Sequence, residues 1–64
     1  MRFTSNKPDK PGIYFARKRG GILKFRLNVV FVDDHYWIQA DSGTRSRVDA
    51  LDPELEWAFV GEAN

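Results

Sequence analysis

Residues 22–40 read Ile22-Leu23-Lys24-Phe25-Arg26-Leu27-Asn28-Val29-Val30-Phe31-Val32-Asp33-Asp34-His35-Tyr36-Trp37-Ile38-Gln39-Ala40. Side chains alternate in character along much of this stretch, the period of a strand with one buried face. Asp33-Asp34 interrupts the alternation with two residues that favour turns. The pattern predicts a hairpin of strands 22–32 and 35–40, with Val32 opposite His35, Val30 opposite Trp37 and Asn28 opposite Gln39.

The neighbouring segments extend this hairpin on both sides. Upstream, Gly20-Gly21 reads as a two-residue turn, because glycine accepts the positive φ that tight hairpin turns need. It joins a strand from Ile13 to Arg19 and pairs Arg19 with Ile22, Arg17 with Lys24, Phe15 with Arg26 and Ile13 with Asn28. Downstream, Asp41-Ser42-Gly43 reads as a three-residue loop into a strand from Thr44 to Asp49, pairing Gln39 with Arg45 and Trp37 with Arg47. Asp52-Pro53-Glu54 opens a helical turn, with Asp52 as cap and Pro53 at the first position. A last strand runs from Glu56 to Val60, and residues 1–12, broken by Pro8 and Pro11, form an irregular N-terminal arm.

The expectation is one all-β domain over residues 1–64, a meander of five antiparallel strands with a short helical turn before the last. One face gathers Tyr14, Ala16, Leu23, Phe25, Leu27, Val29, Phe31, Tyr36, Ile38, Ala40 and Val48, and is the expected core. A sheet with one apolar side open is expected to curl into a small barrel, closed by Trp57 and Phe59 of the last strand. Truncating Phe25, as a core residue, is expected to cost about 3–5 kcal/mol, enough to threaten so small a fold.

Net charge is only +1, but the charges are segregated. Residues 1–26 carry eight basic side chains against Asp9 alone, and residues 27–64 carry Arg45 and Arg47 against eight acids. Without cysteine, thiolate metal sites and cysteine catalysis are excluded. The longest apolar run, Val29-Val30-Phe31-Val32, is far too short to span a bilayer, so no membrane partner is expected. The basic N-terminus has no apolar stretch behind it, so no signal peptide is expected and the location is read as cytoplasmic.

Asp33-Asp34-His35 is the one cluster with ligand-like or catalytic composition, but three successive residues at a hairpin tip diverge and read as a turn. No nucleophile elbow surrounds Ser42 or Ser46, and Arg17-Lys18-Arg19-Gly20-Gly21 lacks the context of a phosphate loop. No catalytic residue, metal or cofactor is assigned. The second face stands out instead: the register gathers Phe15, Arg17, Lys24, Arg26, Asn28, Trp37, Gln39, Arg45 and Arg47 on one surface. Cations track a phosphate backbone, exposed rings stack on unpaired bases, and amides read base edges.

Pro11-Gly12-Ile13-Tyr14-Phe15-Ala16-Arg17 and Asp52-Pro53-Glu54-Leu55-Glu56-Trp57 resemble the opening and closing segments of a group of small phage and prophage proteins. That group opens on a Pro-Gly-x-Tyr-aromatic-Ala-Arg segment and closes on an acidic Glu-Trp strand. This chain carries Ala58-Phe59 where Gly-Pro is usual in the group. The resemblance, over about residues 11–61, implies an SH3-like barrel and a phage-encoded protein working in the host cytoplasm. The combined expectation is a non-enzymatic binding module, monomeric or homodimeric, whose basic and aromatic face contacts nucleic acid, single-stranded or without sequence preference. The alternative is a phage-encoded inhibitor or modulator that docks on an acidic host-protein surface, such as an anti-CRISPR or other anti-defence protein or a modulator of transcription.

Overall fold

The computed structural model describes residues 2–62. Its strands are β1 (Gly12–Lys18), β2 (Phe25–Val32), β3 (His35–Gln39), β4 (Arg45–Arg47) and β5 (Leu55–Gly61), with a 3-10 turn over Val48–Ala50. They form one antiparallel sheet in the order β4-β3-β2-β1-β5, open at β4 and β5.

The hairpin registers follow from the turns. Asp33 and Asp34 both adopt positive φ (54° and 64°), the type I′ geometry whose twist matches that of the flanking strands. Val32 accordingly faces His35, and Asn28 faces Gln39. The loop Asp41–Gly43 has Gly43 at φ 91° and sets Gln39 opposite Arg45 and Trp37 opposite Arg47, as expected.

The first hairpin keeps its register but not its turn. Ile13 faces Asn28 and Phe15 faces Arg26, but the ladder ends at Ala16 and Phe25. The turn is centred on Arg19-Gly20 rather than Gly20-Gly21: the Gly21 amide donates to the Lys18 carbonyl (2.7 Å), and Gly20 takes φ 74° at the third, type II position. The expected pairs Arg19–Ile22 and Arg17–Lys24 therefore do not form. A competing partner explains the change. β1 is central, and its end stays with β5, where Lys18 faces Leu55 and the Arg19 amide donates to the Glu54 carbonyl (3.0 Å). Residues 21–24 leave the sheet.

The helical turn before the last strand sits earlier than the proline implied. β4 stops at Arg47, the 3-10 turn carries Val48 into the core, and Asp52 organises a tight turn instead of a helix. Its carboxylate accepts from the Glu54 amide (2.9 Å) and its carbonyl from the Leu55 amide (3.1 Å).

The N-terminal arm is irregular but anchored. Thr4 and Trp57 exchange two backbone hydrogen bonds of 2.8 Å, flanking β5 on its outer side. Farther along, the Tyr14 hydroxyl donates to the Lys10 carbonyl (2.7 Å), the Tyr36 hydroxyl donates to the Asp9 carbonyl, and Pro8 is buried.

Tyr14, Ala16, Val29, Val48 and Trp57 form the core, with half-buried Leu27, Tyr36, Ile38, Leu51 and Leu55 against it. Tyr14 meets Trp57 and Phe59 edge to face, at centroid distances of 6.3 and 5.3 Å. Four expected core residues are exposed: Leu23 at 71%, Phe25 at 58%, Phe31 at 49%, and Ala40. They lie on or beyond the ends of strands, Phe31 with only one side of its ring against Tyr36 (4.7 Å between centroids), so Phe25 is not the keystone that alternation suggested. Trp57, 3% exposed, fills the centre, whereas Phe59 remains exposed.

Candidate nucleic-acid interface

The register places all the predicted surface residues that lie in strands on the face opposite Tyr14 and Val29, since alternate residues point to opposite sides. Their availability differs.

Arg17 is engaged at the β5 side. Its Nε donates to Glu56 Oε1 at 2.9 Å, and its guanidinium lies 4.1 Å from the centroid of the Phe3 ring. The Lys24 ammonium approaches the same ring at 5.9 Å. The like-charge pair expected from Arg17 and Lys24 is thus replaced by two cations sharing one aromatic ring, whose π-face attracts positive charge. Phe3, in an arm with no strand pattern, gave no sign of this role. It reaches the sheet because Thr4 is fixed to Trp57, the residue that follows Glu56. Phe15, flanked by Arg26 on β2 and Ala58 on β5, is half-buried.

Arg47 is engaged at the other edge. Its terminal nitrogen donates to Asp49 Oδ2 (3.0 Å) and to His35 Nδ1 (3.1 Å), which must accept because a guanidinium cannot. The Arg47 Nε is buried without a partner. Trp37 is half-buried and donates its indole N–H to the Val32 carbonyl (3.0 Å), so its ring is fixed against the sheet. Strand alternation alone would present both Arg47 and Trp37 freely to solvent.

The middle of the face remains open. Arg26, Asn28 and Gln39 line one groove of about 320 Å³ at the end of the β2–β3 ladder, beyond the Asn28–Gln39 pair, with Ile13 and Asp41 beside them and Leu27, Ile38 and Ala40 of the opposite face completing it. Asn28 Oδ1 is buried and accepts no hydrogen bond, an acceptor lacking its usual partner. Arg45 is exposed next to the groove and donates from Nε to Gln39 Oε1 (3.2 Å). Among the described residues, Lys24, Arg26 and Arg45 have no acidic partner.

No family model matches the chain, and no curated protein or solved structure matches it. The functional reading rests on this geometry alone.

Proposed function

We propose that the protein is a non-enzymatic binding module that contacts nucleic acid, single-stranded or without sequence preference, through the open middle of its second face. The observation that carries this reading is the groove lined by Arg26, Asn28 and Gln39, flanked by the exposed cations Lys24 and Arg45. Unpaired cations release counterions when they meet phosphates, and the side-chain amides of Asn28 and Gln39 in the groove lining suit the edge of a base. The nine-residue surface read from sequence contracts to these five, because Arg17, Arg47 and Trp37 already have partners and Phe15 is half-buried. As fold, we propose an SH3-like barrel of phage origin: a four-stranded meander whose fifth strand returns beside the first, with the arm covering β5 in place of a closed ladder.

The test is fluorescence anisotropy of a labelled single-stranded oligonucleotide at low and physiological salt. Arg26→Glu with Arg45→Glu should lower affinity at least tenfold and flatten the salt dependence, by about one slope unit for each phosphate the variant no longer neutralises. Failure to bind DNA or RNA at low salt would remove the reading. Capture of a single acidic protein from nuclease-treated host lysate, abolished by the same pair, would install the host-protein alternative.

A further inference from the structure

The most exposed of the large apolar side chains belong neither to the core nor to the groove. Ile22 is 91% exposed, Leu23 71% and Phe25 58%, all at the end of the sheet where β1 and β2 part. Ile22, more than nine-tenths exposed, rests on nothing of its own chain, and with Leu23 and Phe25, each more than half exposed, it gives three exposed apolar residues within four positions.

Cations flank the tip. Lys18 and Arg19 precede it, and Lys24 and Arg26 interleave with it. The acids at the same end are Glu56, paired with Arg17, Asp52, 3.7 Å from Lys18, and Glu54, whose carbonyl holds the Arg19 amide. After that pairing, Arg19, Lys24 and Arg26 face Glu54 alone, so the end is positive.

We infer that this tip is a peripheral contact for an anionic lipid surface, with Ile22, Leu23 and Phe25 entering the headgroup boundary and Arg19, Lys24 and Arg26 on the lipid charges. Charge complementarity selects this occupant. A nucleic acid would use the cations but leave Ile22 and Leu23 in water, because aliphatic side chains do not stack on bases. A second copy meeting tip to tip would bring like charges together. An anionic bilayer satisfies both halves of the tip at once. Among the described residues no helix is long and apolar enough to cross a membrane, which has no bearing on attachment at the surface.

The experiment is sedimentation with vesicles of phosphatidylcholine containing about one-third phosphatidylserine, against vesicles of phosphatidylcholine alone. The wild-type chain should bind the anionic vesicles and lose most binding to the neutral ones. Ile22→Ser with Leu23→Ser should lower vesicle partitioning at least tenfold while leaving thermal unfolding and oligonucleotide affinity unchanged, which separates this site from the groove. Arg19→Gln should lower it roughly fivefold. A Leu23→Trp variant should shift its emission to the blue on adding anionic vesicles. Equal partitioning of wild type and the serine pair would overturn the inference. So would a serine pair that instead abolished oligonucleotide binding or self-association.

Discussion

Where β1 begins, Tyr14 and Tyr36 donate their hydroxyls to arm carbonyls and Pro8 is buried beside them; where β1 ends, Ile22, Leu23 and Phe25 stand in water. The two ends are drawn from one alternating pattern, and Phe25 is as apolar as Tyr14. They differ because the arm lies across the first end, whereas at the other the returning 52–55 turn meets β1 alone and leaves residues 22–25 uncovered. Apolar alternation names a face; a covering segment makes it a core.

Substitutions at the two ends should therefore differ sharply. Trp57→Ala removes the centre of the covered region and the ring that Tyr14 meets, and should cost about 3–5 kcal/mol. Against a total near 3–10 kcal/mol, urea titration should find the variant mostly unfolded. Gly12→Ala comes next. Gly12 has φ 150°, and an added Cβ would lie 2.7 Å from the Gly61 carbonyl oxygen and 2.7 Å from Phe59 Cε1. The strained backbone and the clash with fixed main chain together should cost about 2–3 kcal/mol, read as a lower urea midpoint.

Tyr14→Phe keeps the ring and deletes only its donation to Lys10, for about 1 kcal/mol. It also changes the alkaline behaviour. Burial, with smaller contributions from Asp9 and Tyr36, pushes the Tyr14 phenol above its ordinary value. The folded state thus favours the neutral phenol. Above the ordinary tyrosine range the unfolded chain ionises this phenol while the folded state still holds it neutral, so stability falls there as pH rises. Urea midpoints measured upward from about pH 10 should therefore fall more steeply for wild type than for Tyr14→Phe. Phe25→Ala, at the bare end, should move the midpoint by no more than about 0.5 kcal/mol. A loss of several kcal/mol there would mean that the end is covered after all.

The candidate site divides along the same line. Its residues were legible as one face, and the ladders place Phe15 opposite Arg26, Asn28 opposite Gln39 and Trp37 opposite Arg47. Which cations are free was not legible. Glu56 lies 39 positions from Arg17, and Phe3 reaches that pair only because Thr4 bonds to Trp57. The displaced turn at Arg19-Gly20 was equally hidden, since Gly20-Gly21 satisfies the local rules and only the pull of β5 on the end of β1 moves it.

Turn chemistry and a two-residue period act over a few neighbouring positions, so the order of residues was enough to set three hairpin registers and sort the strand side chains between two faces. The returns of the arm and of β5 were settled by packing. They chose the buried end of the sheet and neutralised Arg17, because burial and ion pairing require groups far apart in the chain to meet in space, and no local pattern records that meeting.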